Sequence, residues 1–219
     1  MEVVMIVGEI RQEARGILTG LWVTLVPIWF IYFLILMGAN AIFRGDSSFI
    51  GSVVMLVLGG PLLMGMTRIF LRIYNKEAFE LGQMFDGFKE FARTLAAYLL
   101  MMLYIFLWML LLIVPGIIAS LGYSMTFFIL AENPDMAASE AMRQSKQMMM
   151  GYKWDLFRLG LSFIGWGLLA CLTFGIGFLW LESYIFASYM LFYKRIKGEA
   201  EVIVPQAEAT ITPPPGEVI

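Results

Sequence analysis

The chain has 219 residues, 60% of them hydrophobic and 15% charged, with a formal net charge of −2. A soluble domain is roughly 45–50% apolar and about 25% charged, so the surplus apolar surface is expected to face lipid, and the charge balance offers no basic surface for nucleic acid. There is no histidine and one cysteine, Cys171, which excludes Ser–His and Cys–His catalytic pairs, internal disulfides and thiol metal clusters; Cys171, inside an apolar run, reads as a small core residue.

Residues 1–15 carry Glu2, Glu9, Arg11, Glu13 and Arg15, and the uncharged run that follows, 16–43, is 28 residues long. That is too long for the apolar part of a secretory signal and enough for a helix to cross a hydrocarbon layer of about 30 Å. Residues 47–67 form a second run. Residues 94–131 hold no charge over 38 positions. As one helix they would extend about 57 Å at 1.5 Å per residue, and Pro115-Gly116 supplies a break, so two spans are expected, 94–114 and 117–131. The last apolar region, 159–193, holds one charge, Glu182, and is divided by Gly175-Ile176-Gly177.

The expected fold is therefore all-α, a polytopic transmembrane bundle of six spans in three hairpins. With six spans, fourteen of the fifteen basic residues share one side and only Arg44 lies on the other. The positive-inside rule makes the shared side cytoplasmic, with both termini there. Two connections on that side read as amphipathic helices. In 78–93 the apolar positions Leu81, Met84, Phe85, Phe88, Phe91 and Ala92 share a face. In 134–151 Ala138, Ala141, Met142, Ser145, Met148 and Met149 do so, with Asn133-Pro134 as the start signal. Met84, Phe85, Phe88, Met148 and Met149 make a candidate cytoplasmic docking face.

The membrane domain is expected over 1–197. It holds a parallel repeat of amphipathic helix, span, turn and span at about 78–131 and 136–193, with 1–75 as a diverged copy. Residues 198–219 contain four glutamates, no basic or aromatic residue and Pro213-Pro214-Pro215, a composition that reads as a disordered acidic tail.

Several strings carry a resemblance: 108–117 (WMLLLIVPGI), 131–135 (AENPD), 151–154 (GYKW), 161–166 (LSFIGW) and 172–177 (LTFGIG), with Gly60-Pro61 and Phe85-x-x-Phe88 before them. Over about 55–195 the chain resembles the prokaryotic integral membrane proteins catalogued as domain of unknown function 975. The resemblance implies a membrane fold in the cell membrane of a prokaryote, and no established activity or catalytic residues. The departure is at Glu182-Ser183, where the family usually has an apolar residue and then proline before Tyr184.

Pro115, Gly116, Gly175 and Gly177 are expected as structural turns, because short reversals leave few polar backbone groups facing lipid. Ser162, Gly165, Gly167 and Ala170 are small residues suited to close helix contact. The spans 117–131 and 178–193 are short for the hydrocarbon thickness, so their turns are expected beneath the outer headgroups. Glu182 is a carboxylate in an otherwise uncharged helix, which is a functional hypothesis by default. With Trp180, Ser183 and Tyr184 it forms a candidate lipid or partner contact; the competing reading is a side chain that reaches water at the interface. No cofactor or metal is implied. The expected function is a non-catalytic membrane scaffold, or a module that binds membrane lipids or other membrane proteins. A small transporter or lipid-handling protein is the alternative, and a polar cavity reaching mid-membrane would favour it.

Overall fold

A computed structural model describes residues 2–42 and 48–198. The expectations for Arg44, Asp46 and the acidic tail 199–219 lie outside the described residues. All regular structure among the described residues is helical: α1 (Glu2–Leu18), α2 (Trp22–Ile42), α3 (Ser48–Tyr74), a 3-10 segment (Leu81–Glu90), α4 (Phe91–Leu111), α5 (Ile113–Tyr123), α6 (Thr126–Glu132), α7 (Ala138–Met148), α8 (Lys153–Leu161), α9 (Ile164–Leu172) and α10 (Phe178–Ile196). Four stretches are long and apolar enough to cross a membrane: Ile50–Tyr74, Leu81–Leu111, Ile113–Glu132 and Lys153–Leu172. A fifth counts if Val7–Leu18 and Trp22–Gly38, which meet at 99°, are taken together. The expected sixth span, α10, carries Glu182, Lys194 and Arg195 in its 19 residues and is not among them.

The uncharged run 16–43 is not one helix. Gly20 takes a left-handed φ of +85°, a conformation glycine adopts without steric cost, and the chain turns sharply between α1 and α2. On α1, Ile10, Ala14 and Leu18 are fully buried at the i, i+4, i+8 spacing of one helix face. That face packs across α10. Glu9 and Glu13 reach Arg195 on one side, while Arg11 and Arg15 reach Tyr184 on the other. Residues two apart point to opposite edges of a helix, and Tyr184 and Arg195 are eleven residues, about 16 Å, apart along α10. α1 therefore crosses α10 between them.

α10 is the central element. Leu181, Tyr184, Ala187, Ser188, Met190, Leu191, Phe192, Tyr193 and Lys194 are all buried. Phe186 sits against Trp29 of α2 (ring centroids 6.1 Å apart), Phe70 of α3 (4.8 Å) and Phe128 of α6 (5.8 Å), so one side chain ties four helices. By contrast only 11% of the apolar window in Leu81–Leu111 is buried; α4 is a peripheral helix that shows most of its surface.

The segment expected as an amphipathic α-helix at 78–93 is a 3-10 helix, and its pairing with α3 explains why. A Cβ at Gly65 would overlap the Met84 carbonyl, and one at Gly87 would overlap the Pro61 carbonyl. Two glycines thus let the backbones touch. In a 3-10 helix residues three apart lie directly above one another, which keeps Met84 and Gly87 both against α3 and aligns the Phe85, Phe88 and Phe91 rings in a row at 6.2 and 6.3 Å.

Other boundaries also differ from expectation. The α4–α5 reversal is at Leu112 (φ −162°, ψ 146°), not at Pro115-Gly116. A proline ring clashes with the carbonyl four residues earlier; for Pro115 that is Leu111, the last residue of α4. Pro115 itself sits in the first turn of α5, where its missing N–H leaves no helical bond unmade. Gly116 lies under the last turn of α4, where a Cβ would stand 3.0 Å from the Met109 Cα. α7 starts after Ala137 and not at Pro134, yet its buried residues Ala138, Ala141, Met142 and Ser145 are those the periodicity selects. Cys171 is exposed, not a core residue: Ala170 next to it takes the inward position. Of the small residues expected to make close helix contact, Gly165 and Gly167 face open space, whereas Ala170 lies against Gly177 at the start of α10.

The Gly65 contact gives a direct test. Gly65→Ala should lower stability in detergent by about 1–3 kcal/mol, the usual cost of overpacking. Gly82→Ala, with nothing within 4 Å of its Cβ position, should leave the melting curve in place. Equal behaviour of the two variants would contradict the backbone contact.

Candidate functional site

The α9–α10 reversal is built from residues 173–177. Phe174 and Gly175 both take left-handed φ values, +53° and +87°. The Thr173 hydroxyl donates to the Ala170 carbonyl (2.7 Å) and accepts from the Gly177 N–H (2.8 Å). Gly175 N–H donates to the Ala170 carbonyl at 3.2 Å. Every backbone N–H from 173 to 177 thus has a partner within the reversal, while Leu172, Phe174 and Ile176 point outward, Phe174 fully exposed. At this end α9 and α10 nearly touch: a Cβ at Gly177 would stand 2.8 Å from the Ala170 Cα.

Away from the turn a slot opens between the helices, about 390 Å³ in volume. Trp166, Leu169, Ala170 and Thr173 line it from α9, and Trp180, Leu181 and Tyr184 from α10, with Gly177 at the closed end. These positions follow the i, i+3/i+4, i+7 spacing of one helix face on each side, and seven residues make the slot about 10 Å long. Arg15 and Trp22, from the α1–α2 elbow, stand at the other end.

Tyr184 organises that end. Its phenol oxygen accepts from Arg11 Nε (3.2 Å) and Arg15 Nε (3.0 Å) and donates to the Arg11 carbonyl (3.2 Å). The Arg15 guanidinium also lies 5.5 Å from the Tyr184 ring centroid, and that of Arg11 lies 5.6 Å from the Phe163 ring, favourable cation–π placements. Two cations share one neutral acceptor, and neither has an ion pair among the described residues. The opposite edge of α1 is compensated: Arg195 pairs with Glu9 (3.0 Å) and Glu13 (3.1 Å).

A second network closes the end of the bundle where most charges gather. Glu132, at the end of α6, accepts from Lys194 Nζ (2.7 Å), Lys197 Nζ (2.6 Å) and the Tyr193 hydroxyl (2.6 Å). The Lys194 side chain is only 6% exposed and also lies 5.1 Å from the Tyr74 ring centroid. Glu90 bridges Arg68 and Arg93, and Arg93 donates to the carbonyls of Asn133 (2.8 Å), Met136 (3.3 Å) and Leu130 (3.3 Å), where a cation suits the negative end of α6.

The sequence-predicted residues are dispersed by this geometry. Trp180 and Tyr184 line the slot. Ser183 is buried and donates to the Leu179 carbonyl. Glu182 is half-buried, on the α10 face that also carries Phe186 and Tyr189, without a hydrogen bond or ion pair among the described residues. Gly175 and Gly177 form the α9–α10 turn; Pro115 and Gly116 follow the α4–α5 turn. Met84 and Met149 are fully buried and so are spent in the core, not displayed for docking. Phe85 is exposed, and Phe88 and Met148 are half-buried. Arg11, Arg15, Trp22 and Trp166 join the site without being marked as site residues by the sequence. A signal for the first two exists, since acid and arginine alternate at Glu9, Arg11, Glu13 and Arg15. Among the described residues no cluster of three or more acidic or cysteine side chains is placed to hold a metal.

A further cavity of about 330 Å³ lies among α3, α4, α5, α6, α8 and α10. Its polar lining is Thr67, Ser120, Ser124 and Tyr189. The first three hydroxyls donate to backbone carbonyls of their own helices, Leu63 (2.8 Å), Ile117 (2.8 Å) and Leu121 (2.7 Å).

The Glu132 network sets a measurable cost. Glu132→Gln removes the carboxylate charge that Lys194, Lys197 and Tyr193 share, so stability should fall by about 3 kcal/mol. The double variant Glu132→Gln/Lys194→Met should recover part of that loss. A double variant less stable than the single would contradict the pairing.

No curated protein and no solved structure matches the chain. A family profile with the description Protein of unknown function (DUF975) matches residues 5–119 and 109–200, most of the chain's length, and the chain belongs to that family.

Proposed function

We propose that the protein is a non-catalytic integral membrane module that binds a lipid in the slot between α9 and α10 and serves as a scaffold around it. The slot is the observation that carries this reading. It is apolar along its length, lined by aromatic side chains that suit a membrane interface, and opens at charged side chains. Clefts of a few hundred Å³ with few polar groups are usual ligand sites. A transporter is the second reading, favoured by Glu182 and the hydroxyl-lined cavity. It has less support, because the cavity lining carries no charge and three of its hydroxyls are committed to their own backbones. Native mass spectrometry of protein extracted from its membrane should find a retained lipid. Leu169→Trp, which fills the slot from an exposed position, should reduce the lipid-bound fraction severalfold with the fold intact. Equal retention by the variant would contradict the reading.

In the orientation we propose, six helical segments enter the cell membrane of a prokaryote as three pairs, with both termini cytoplasmic. The polar connection around Arg44 and Asp46 reaches the outside. The other two reversals are apolar: Leu110–Val114 between α4 and α5, and Leu172–Ile176 between α9 and α10. Leu112 is 65% exposed and Phe174 100%, which would be unfavourable in water, so these tips end within hydrocarbon. In a Cys171→Ser background, single cysteines replacing Lys76, Lys153 and Lys197 should label from the cytoplasm and one replacing Asp46 from outside. A cysteine replacing Phe174 should resist aqueous reagents from both sides. Labelling at Lys153 from outside would overturn the orientation, and ready labelling at Phe174 would overturn the buried tip.

A further inference from the structure

We infer that the slot takes an anionic phospholipid of the cytoplasmic leaflet, its phosphate held by Arg15 and Arg11 at the mouth and one acyl chain running between α9 and α10. This rests on the reading of the slot as a lipid site and adds the class of lipid and the group that selects it. The argument is one of charge. Tyr184 is buried, 7% exposed, and holds both guanidiniums through their Nε atoms. This leaves the terminal nitrogens of each, the pair that grips phosphate in two parallel bonds, without a hydrogen bond or ion pair among the described residues. Like charges gathered on one neutral oxygen repel, and the acids that alternate with them are spent elsewhere: Glu9 and Glu13 lie on the opposite edge with Arg195. An anion between the two guanidiniums supplies the missing counter-charge.

Position decides which anion. Arg15 lines the mouth of the slot itself, so a group bound there has an apolar path beginning at its side. Trp22 flanks the mouth, and the passage narrows to the Ala170–Gly177 contact about 10 Å in. A phosphate carrying a hydrocarbon chain uses both halves; a free phosphate uses one, and an uncharged lipid the other. α1 is the membrane-proximal cytoplasmic helix in the proposed orientation, which places this headgroup in the inner leaflet.

The test is thermal stability and native mass spectrometry of the whole protein in neutral detergent, titrated with phosphatidylglycerol, with diacylglycerol of the same chains, and with inorganic phosphate. Phosphatidylglycerol should raise the melting temperature and give a bound adduct, since a ligand that binds the folded state stabilises it. Diacylglycerol and phosphate should each bind at least about tenfold more weakly, the loss expected when a charge-assisted contact or the apolar contact is withdrawn. Arg11→Gln/Arg15→Gln should lose that preference while its melting temperature without lipid stays level or rises, because repulsion is relieved; Tyr184→Phe should weaken it. Diacylglycerol binding as well as phosphatidylglycerol would overturn headgroup selection and leave the lipid-slot reading standing. Stabilisation by phosphate alone to the same degree would show a free-anion site and overturn the inference. An arginine variant that unfolds more readily without lipid, yet keeps the phosphatidylglycerol preference, would assign the pair to structure alone. If no lipid binds and Leu169→Trp changes nothing, the slot reading itself fails with it.

Discussion

A lysine ammonium that is almost wholly enclosed sets the terms for one end of this bundle. Lys194 is on the central helix, and a buried charge without a partner is strongly destabilising. The chain brings Glu132 to it from α6, adds Lys197 and the Tyr193 hydroxyl to the same carboxylate, and lays the Tyr74 ring beside the ammonium. One residue further on, Arg195 holds α1 through Glu9 and Glu13. Arg93, anchored by Glu90, closes the carbonyl end of α6. The helices converge where their charges do, and the apolar lengths beyond are free to splay.

The slot is a consequence of that splaying. α9 and α10 are joined by a turn whose backbone N–H groups are all bonded within it, and they touch at Ala170 and Gly177. At the other end α1 crosses α10 and keeps its arginine edge next to the opening. A helix crossing there can be compensated on the Glu9 and Glu13 edge by Arg195, but the Arg11 and Arg15 edge finds only a phenol. In the account proposed here a lipid phosphate completes it, so the same helix that fastens the bundle also reads the headgroup.

Much of the fold was legible because charge-free runs and their breaks are properties of composition. The helical class, the reversal near 175 and the inward face of α7 follow from periodicity and glycine placement. The first uncharged run misled because absence of charge sets where a helix is tolerated, not whether it bends, and the bend at Gly20 depends on α1 meeting α10. Leu81–Glu90 misled because spacings of three suit both helix types, and contact with Gly65 and Pro61 decides between them. Pro115 marks the break in the run but not its place, because its ring acts on the residue four before it. The site was half legible. Trp180 and Tyr184 stood out beside Glu182, whereas Trp22 and Trp166 come from distant segments that only tertiary packing brings to the slot. Arg11 and Arg15 register in the sequence only as charges before the first span, although their alternation with Glu9 and Glu13 already assigns the two pairs to opposite helix edges.

A structure of the protein determined from a lipidic mesophase doped with phosphatidylglycerol would test the central claim most directly. The account predicts a continuous rod of density from the Ala170–Gly177 contact to the mouth, ending in a phosphate within hydrogen-bond distance of Arg15. A slot filled by protein side chains or by a helix of a neighbouring molecule, with Arg11 and Arg15 facing a carboxylate, would contradict it.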